Sequence, residues 1–467
     1  MKRLLWLSVL LLCHNPLSAQ SISGNATITN QGLNVVTFGA DSTGSIDSAP
    51  AIQAAVNAAA GAPIVIPAGQ YKMCSEVDSS IPVNIGGAGN GSGPGQAAQS
   101  NTNVSQILLC SATQHGFVVT SNQPSYFHDF QMNVLPGGRP QTAGYGIGII
   151  GAGTATQENT TIERVGFTNV FNPIHALRPG NIHIKDNYFD TWGAYAISCT
   201  TSSGTEAGCG NISGNAFFGA SPPGTQGPSV YSEIGYTDIH DNFMFGGNYG
   251  IYFNITGVPA GLLKVHDNSI ENCAIACVQI QTSDGTTVSM VQIANNEFSN
   301  LAFASLMTGH IIIAEYDIGG ISQKYLDGVQ ISGNKFRSIA TSGAQKYIWV
   351  QTGADVQIAD NNIYDIGAAN PTAIQVSGFI SNAGFTSPVL VNNNLVRGIT
   401  MAKRYAFGGG VPVTVIDPIG LTVATLPSVP PTPGSQIFAT DGLPGSGPCT
   451  DGSTGAMATF QNGAWKC

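Results

Sequence analysis

The chain has 467 residues, of which 42% are hydrophobic and only 9% are charged, and it contains 59 glycines. The apolar fraction is large enough for a sizeable core, whereas charged residues fall well below the usual quarter or so of a soluble domain. A net charge of −10 argues against a nucleic acid or an anionic membrane as partner, because both require a basic surface.

The N-terminus predicts a secretion signal in residues 1–19. Lys2 and Arg3 supply the positive start, and residues 4–13 supply the apolar run that follows. This run is too short to span a bilayer, and no later segment of the chain reads as a membrane span. Residues 20–34 are expected to be disordered. The sequence therefore predicts a secreted protein, whether extracellular, periplasmic or on the cell surface.

Residues 35–73 predict a cap at the start of the folded part. A strand at 35–38 leads into a Gly-rich turn, a helix begins at Asp47 or Ser48, and a second strand follows at 64–66. The helix is apolar on one face, at Ile52, Ala55, Val56 and Ala59. A helix of this kind can cover the open end of a stack of strands.

A short phrase then returns eight times. It consists of an apolar strand residue, a spacer, one residue that is Asp, Gly or Asn, and then an Asn. Asp, Gly and Asn tolerate a positive φ, so the phrase predicts a fixed bend, and the Asn amide can bond its equivalents in neighbouring coils. The repeats are roughly 26 to 38 residues apart, a solenoid period. The eight residues are Asn187, Asn215, Asn242, Asn268, Asn296, Asn334, Asn361 and Asn394.

Short β-branched strands without helices between them predict an all-β parallel β-helix of about ten coils with an N-terminal capping helix. Each coil also carries a second strand, in which alternation directs the central residue outward. These outward positions form a wall rich in amides on which aromatic rings stand. The predicted substrate-binding residues on this wall are Tyr252, Gln279, Trp349, Gln351 and Gln375.

Glu315 and Asp317 are the predicted catalytic residues. They follow one of the wall strands and lie two residues apart, so they share a face. A carboxylate pair can act as acid and base, or as acid and nucleophile, in glycoside hydrolysis, and it can also hold calcium. Solvated charges at a loop exit are the alternative.

Further groups align between coils. Glu233, Asp238 and Asp241 form a second acidic cluster, in which Asp241 is interpreted as a bend residue. His240 and His266 occupy one outward position of adjacent coils and are expected to stack about 5 Å apart, the strand spacing. Three tyrosines also align, either as a packing stack at a corner or as a sugar platform; they are Tyr145, Tyr195 and Tyr249.

Eight cysteines remain after the signal, and an even number in a secreted chain suggests disulfides. No His lies at zinc-ligand spacing beside a Cys pair, so no metal site is predicted. Spacing favours the near neighbours Cys74 with Cys110, Cys199 with Cys209, Cys273 with Cys277, and Cys449 with Cys467.

The cap carries a family resemblance. Its segments VVTFGADSTG at 35–44, AIQAAV at 51–56 and IVIPAG at 64–69 resemble the N-terminal cap of the pectate lyase superfamily, which includes rhamnogalacturonan-type enzymes and phage tailspikes. The resemblance implies a right-handed β-helix and a carbohydrate ligand. Asp41 and Asp47 match acidic positions of that cap and are interpreted as turn and helix-start residues. The catalytic segments of polygalacturonases and classical pectate lyases are absent.

The predicted β-helix spans 35–404, a Gly- and Pro-rich linker spans 405–433, and a small C-terminal module with a hairpin spans 434–467. One hypothesis is an enzyme that cleaves an acidic or complex polysaccharide by hydrolysis or β-elimination, with calcium as cofactor if it is a lyase. The alternative is a non-catalytic carbohydrate-binding or tailspike-like surface protein. A monomer and a trimer both remain open.

Overall fold

The computed structural model describes most of the chain from residue 32 onward. The segments outside the description are 1–31, 92–102, 136–140, 152–156, 202–207, 220–225, 257–260, 284–286, 300–308, 316–324, 339–345, 366–370, 378–386, 401–403, 409–412, 417–425, 427–434, 440–448, 451–454 and 462–463. The predicted signal and most of the segment predicted to be disordered therefore lie outside the described residues.

Three long sheets form the three faces of a right-handed parallel β-helix, and each regular coil passes through sheet A, then sheet B, then sheet C. Sheet A consists of Leu33–Asn34, Pro63–Ile66, Asn84–Gly87, Tyr126–His128, Gln157–Glu158, Thr161–Glu163, Pro179–Lys185, Gly208–Ser213, Thr237–His240, Leu263–His266, Thr287–Ala294, Tyr325–Ser332, Gln357–Ala359, Val389–Asn392, Val413–Ile416, Gln436–Ala439, Ala456–Gln461 and Ala464–Lys466. Sheet B consists of Thr43–Asp47, Gly69–Met73, Ser105–Leu109, Gln131–Val134, Gly166–Thr168, Tyr188–Asp190, Ala216–Phe218, Phe243–Phe245, Ser269–Glu271, Glu297–Ser299, Lys335–Ser338, Asn362–Asp365 and Leu395–Arg397.

Sheet C consists of Val77–Ser79, Phe117–Val119, Tyr145–Ile150, Asn172–Leu177, Ile197–Thr200, Val230–Ser232, Tyr249–Thr256, Ala276–Ser283, Gly309–Glu315, Lys346–Val350, Thr372–Val376 and Tyr405–Phe407. These twelve strands give about twelve coils in the described part of the chain, slightly more than the ten predicted. The fold class itself is confirmed.

The capping helix α1, Ala49–Ala59, follows Ser48 and buries the predicted apolar face, including Ile52 and Val56. The strand predicted at 35–38 is wrong, because Val35–Phe38 form a short 3-10 helix. The Asn34 side chain accepts the Val36 N–H at 2.9 Å and starts this turn. Gly39 closes it in the left-handed conformation, with φ of 96°.

The predicted asparagine ladder is present in full, and all eight side chains are at most 2% exposed. In a typical step, the Asn242 N–H donates to Asn268 Oδ1 at 3.0 Å, and Asn242 Nδ2 donates to the Ile212 carbonyl at 2.8 Å. The residue before each Asn has a positive φ, such as 57° at Asp186 and 56° at Asn295. The bend between sheets A and B is therefore fixed by backbone conformation and by buried hydrogen bonds together.

The core runs along the helix axis between the three sheets. Inward positions stack in register from coil to coil, as the rings of Phe167, Phe189 and Phe217 do, with centroids 5.3 and 4.6 Å apart and planes 7° apart. All four predicted disulfides are present, with Cα separations of 4.9 Å for Cys74–Cys110, 5.8 Å for Cys199–Cys209, 5.3 Å for Cys273–Cys277 and 5.0 Å for Cys449–Cys467.

The C-terminal boundaries differ from those predicted. Tyr405–Phe407 and Val413–Ile416 lie in the segment predicted to be a linker, yet they add strands to sheets C and A. Gln436–Ala439 then pairs in parallel with Val413–Ile416, so the tail continues sheet A and is not separate from it. Its final hairpin is confirmed, because Phe460 and Trp465 pair in antiparallel register. Unpaired strand edges favour this continuation, since the last coil offers free backbone groups.

Candidate functional site

The outer face of sheet C carries the residues predicted to form the wall. The inward neighbours predicted on each strand, such as Ile251 and Phe253, are fully buried, so the alternation is confirmed. Five strands of sheet C were not predicted, and two of these, Asn172–Leu177 and Val230–Ser232, add His175 and Tyr231. The central outward column in strand order is Asp78, Val118, Gly148, His175, Ser198, Tyr231, Tyr252, Gln279, Ile312, Trp349, Gln375 and Ala406.

Four tyrosines form a continuous group in the middle of this face, here called the tyrosine strip: Tyr195, Tyr231, Tyr249 and Tyr252. The rings of Tyr195 and Tyr231 are stacked with centroids 4.5 Å apart, and those of Tyr249 and Tyr252 with centroids 4.8 Å apart. Tyr231 meets Tyr252 edge to face at 5.6 Å. Tyr231 is only 7% exposed and supports its neighbours, whereas Tyr195, Tyr249 and Tyr252 are half-buried and supply the open ring surface. The aligned tyrosines predicted from the sequence thus stack against rings of the central column rather than on each other.

Polar groups border the tyrosine strip. The Tyr231 hydroxyl donates to Glu233 Oε1 at 3.0 Å and accepts from Asn254 Nδ2 at 3.3 Å. The second Glu233 oxygen accepts the Thr201 N–H at 3.2 Å. Burial raises the pKa of Tyr231, and hydrogen bonding with Asn254 opposes this only in part. The phenol therefore stays protonated and remains a donor.

Amides continue the polar border on the next coil. Gln281 Oε1 accepts from the Tyr252 hydroxyl at 3.1 Å and from Gln279 Nε2 at 3.1 Å. The predicted residues Tyr252 and Gln279 are half-buried and lie side by side in register. Ring and amide thus stand together on one surface, as the sequence predicted.

A second group of rings lies toward the N-terminal end of the face, here called the Tyr145 stack: His115, Tyr145 and His175. The Tyr145 ring lies 3.8 Å from the His115 ring and 5.3 Å from the His175 ring, measured between centroids. It rests over Gly148, where an added Cβ would lie only 2.2 Å from Tyr145 Cε2. The absence of a side chain at Gly148 therefore makes the space for the ring.

His175 is hydrogen-bonded to Ser198. Its Nδ1 lies 2.9 Å from Ser198 Oγ. In the tautomer that carries its proton on Nδ1, Ser198 accepts that proton and Nε2 of His175 is an acceptor. Burial, and then the nearby His115, lower the pKa of His175, which keeps the ring neutral at pH 7.

Two carboxylates stand beside the Tyr145 stack. Glu76 and Asp78 flank the buried Val77, so strand alternation directs both of them outward, and both are exposed. Burial raises the pKa of Tyr145, and the charges of Glu76 and Asp78 raise it further. This pair was not predicted, although its carboxylate, apolar, carboxylate pattern in the sequence was a usable signal.

Three other predicted site residues lie in the same register, and two of them are buried. Trp349 and Gln351 are each 4% exposed, so the open part of the face ends before their coil, and Trp349 offers no free platform. Lys346 lies over the Trp349 ring with Nζ 3.1 Å from its centroid, and burial lowers the pKa of Lys346 to about 8. Gln375 is half-buried and donates to Ser377 Oγ at 2.7 Å.

The side chains of the predicted catalytic pair lie outside the described part of the structure. Glu315 is the last residue of the strand Gly309–Glu315, and its backbone is in register with Thr282, whose side chain is buried. Asp317 lies outside the described residues. A catalytic role for Glu315 and Asp317 therefore stays a prediction.

The second acidic cluster is divided between two faces. Glu233 lies at sheet C, whereas Asp238 points outward from sheet A and accepts from His266 Nε2 at 2.9 Å. The expected stack of His240 on His266 is confirmed, with centroids 4.9 Å apart and planes 4° apart. Asp241 is a bend residue with φ of 55°.

Within the described ranges, no group of three or more His, Cys, Asp or Glu side chains could hold a metal ion. A search of the same residues finds no helix that combines the length and the apolar character of a membrane span.

Fold and face together define a right-handed parallel β-helix protein with an outer sheet lined by rings and amides. The chain belongs to the family described as rhamnogalacturonase A/epimerase, pectate lyase-like, which it matches over residues 32–302. No curated protein matches the sequence.

Solved structures share the fold at low identity. The A-module of the mannuronan C-5 epimerase AlgE6 of Azotobacter vinelandii is 18% identical, with a TM-score of 0.52 over 82% of this chain and 99% of that chain. The DFA-IIIase of Arthrobacter chlorophenolicus A6, in complex with GF2, is 16% identical, with a TM-score of 0.57 over 81% of this chain and 98% of that one. At these identities the likeness supports the architecture alone.

Proposed function

We propose that the protein is a secreted, polysaccharide-active β-helix protein that holds its glycan along the outer face of sheet C and cleaves it there. The observation that carries the proposal is the tyrosine strip, a contiguous set of rings across neighbouring coils with amides at its border. Aromatic rings offer flat apolar surface to the C–H faces of sugars, while amides and phenols bond sugar hydroxyls. The family name, which includes a rhamnogalacturonase and an epimerase, supports a carbohydrate substrate.

The Tyr145 stack supports cleavage in addition to binding. A neutral His175 can accept a proton at its unprotonated ring nitrogen, and a protonated Tyr145 can donate one. Glu76 and Asp78 add two carboxyl groups at the same end of the face. Glycoside hydrolysis and β-elimination both require an acid and a base, so this end is the proposed place of bond cleavage.

The test begins with binding. Purified protein is passed over immobilised plant and bacterial polysaccharides, and retention is compared for wild type, Tyr195→Ala, Tyr252→Ala and the control Tyr364→Ala. Tyr364 is 46% exposed but lies in sheet B, so its removal deletes a ring of equal size from another face. Each sheet C variant is expected to weaken binding at least tenfold, about 1.4 kcal/mol, while the control stays within twofold.

Cleavage is tested on the retained polysaccharide by measuring new reducing ends and unsaturated uronate absorbance, with calcium or with chelator. New reducing ends that are lost in His175→Ala would support the proposal. Equal retention of all three tyrosine variants and the wild type would contradict it, because the sheet C face would then not hold the glycan.

Glu233 favours a second candidate, a non-catalytic carbohydrate-binding protein. Both of its carboxylate oxygens accept hydrogen bonds from the protein, from the Tyr231 hydroxyl and from the Thr201 N–H. Among the described residues, the carboxylate beside the tyrosine strip is thus occupied as a structural acceptor. Retention on a polysaccharide that depends on Tyr195 and Tyr252, with no product after prolonged incubation, would select this candidate.

A further inference from the structure

We propose that the glycan held on the outer face of sheet C carries no acidic groups, so that bond cleavage there is hydrolysis and not β-elimination. The inference rests on the proposed function, since it concerns the same face. The charges that surround the tyrosine strip and the Tyr145 stack support it.

Three carboxylates stand on this face without a cation beside them. Glu76 and Asp78 lie at its N-terminal end, and Glu233 lies at the tyrosine strip. Among the described residues, none of the three forms an ion pair, and the contacts of Glu233 are neutral donors.

The described cations are concentrated on the other two faces. Arg164 and Lys185 are engaged with carboxylates on the sheet A side, and Lys335 and Arg337 stand on sheet B. Three described cations lie near sheet C. Arg178, in the turn that leaves the sheet, donates to the Gly151 carbonyl, and Lys346 lies over the Trp349 ring. Arg404, which precedes the strand Tyr405–Phe407 at the far end of the sheet, is only 7% exposed.

A glycan chain that runs along the outer face from the Tyr145 stack to the tyrosine strip would pass all three carboxylates. The strand that carries Asp78 and the strand before Glu233 are five steps apart in sheet C, which corresponds to roughly 24 Å at the usual strand spacing. A polyuronate laid across this distance would bring several negative charges to the face, within about one Debye length of fixed carboxylates. The overall charge of −10 adds to this repulsion.

The absence of a carboxylate on the glycan determines which cleavage reaction is possible. In β-elimination the base removes a proton from the carbon next to a carboxylate, the bond to the leaving oxygen breaks, and a double bond forms. In a sugar without that carboxylate, this carbon is not acidic enough for a protein base to remove its proton. In hydrolysis, water oxygen bonds to the anomeric carbon, the glycosidic bond breaks, the leaving oxygen gains a proton and the water loses one to a base. Among the described residues of this face, Glu76, Asp78, Tyr145 and His175 are groups that can carry those protons.

The test compares dissociation constants for an uncharged polysaccharide, a polyuronate and an amino-sugar polymer at 20 and 500 mM salt. The wild type is expected to bind the uncharged polymer at least tenfold more tightly than the polyuronate at low salt, with a smaller difference at high salt. The triple variant Glu76→Gln, Asp78→Asn, Glu233→Gln is expected to raise the ratio of polyuronate to uncharged affinity at least tenfold.

A matched control removes the same number of charges elsewhere. The control variant combines Asp186→Asn, Asp241→Asn and Asp360→Asn. These three residues lie at exposed bends, and the equivalent bend residues of two other coils are Asn295 and Asn393. This variant is expected to fold, as checked by circular dichroism, and to leave the affinity ratio unchanged. An equal rise in the control would assign the effect to net charge and overturn the inference about this face.

Two results separate the inference from the proposed function. Tighter binding of a polyuronate than of any uncharged glycan, lost in Tyr195→Ala, would overturn the inference and keep the proposed function. Unsaturated uronate absorbance in the product would do the same. Binding of every glycan that is indifferent to Tyr195→Ala and Tyr252→Ala would contradict the proposed function itself.

Discussion

Sheets A and C are built on the same coils, yet their outer faces differ in how their charges are used. On sheet A, Glu163 accepts hydrogen bonds from Tyr126, Arg164 and Lys185, and Arg164 also holds Asp129 with two nitrogens, at 2.7 and 2.9 Å. In the described part of sheet C, the carboxylates form no ion pair and stand among rings and amides.

The difference shows how a solenoid separates stability from recognition. Neighbouring coils hold each other through repeated contacts, so the side that carries the asparagine ladder and the ion pairs can be regular. The other side is then free to vary its outward residues without disturbing the core. Changes on the sheet A side should therefore cost stability, and changes on sheet C should cost binding.

The largest expected effect is Asn268→Ala, at the bend between sheets A and B. The change removes donors to the Ile239 and His266 carbonyls and the acceptor of the Asn242 N–H, all at 2.9 to 3.0 Å. Buried groups left unpaired cost about 1–3 kcal/mol each, so a loss of about 3–5 kcal/mol is expected in urea unfolding. Asn254→Ala, on sheet C, should cost less than about 1 kcal/mol. Equal losses of stability in Asn268→Ala and Asn254→Ala would contradict the difference proposed between the two sides.

The pH dependence of the free energy of unfolding, compared between wild type and Glu163→Gln, tests the ion pairs of sheet A. Burial alone would raise the pKa of Glu163, but hydrogen bonds from Lys185, Tyr126 and Arg164 outweigh it and lower the pKa to about 2 from 4.5. Because the pKa is lower in the folded state, the stabilisation is complete above pH 4.5 and is lost as the pH falls toward 2. It amounts to about 3 kcal/mol.

The measurement is the free energy of unfolding at intervals from pH 7 to pH 2. Wild type should lose stability steeply below pH 4.5, and Glu163→Gln should be less stable at pH 7 but flatter below it. Lys185→Met, which keeps the carboxylate and removes one donor, should move the loss to higher pH. Parallel curves for wild type and Glu163→Gln would show that this carboxylate is not the group responsible.

Much of the fold follows from the sequence because the repeat is local. The residue before each Asn must accept a positive φ, and the Asn must reach its equivalents, so eight phrases define the bend and its ladder. Cysteine pairs close in the chain were also predictable. The stack of His240 on His266 followed from the same register.

The site was less predictable because it depends on contacts between coils that differ in sequence. The strands that carry His175 and Tyr231 lack the apolar triplet of their neighbours, so they were overlooked. Trp349 has the correct register but is buried, which the alternation of a strand does not reveal. Alternation also could not show that the Tyr145 ring occupies the space above Gly148.

Gly148→Ala has the smallest expected effect and addresses the Tyr145 stack directly. Alanine is compatible with the backbone at this strand position, but its Cβ would lie 2.2 Å from Tyr145 Cε2, so the ring must move from between His115 and His175. The pKa of Tyr145 should fall toward the ordinary value as the ring is exposed, which ultraviolet titration would detect. Glycan affinity should fall about tenfold, or about 1.4 kcal/mol.

The control for this change is Gly408→Ala, near the far end of sheet C, where the new Cβ would meet Ser377 Cβ at 3.3 Å. It should alter neither the tyrosine titration nor the affinity. A shifted titration in Gly148→Ala with unchanged affinity would place the Tyr145 stack outside the glycan site. Recognition would then be confined to the tyrosine strip, and the functional part of sheet C would be shorter than its register suggests.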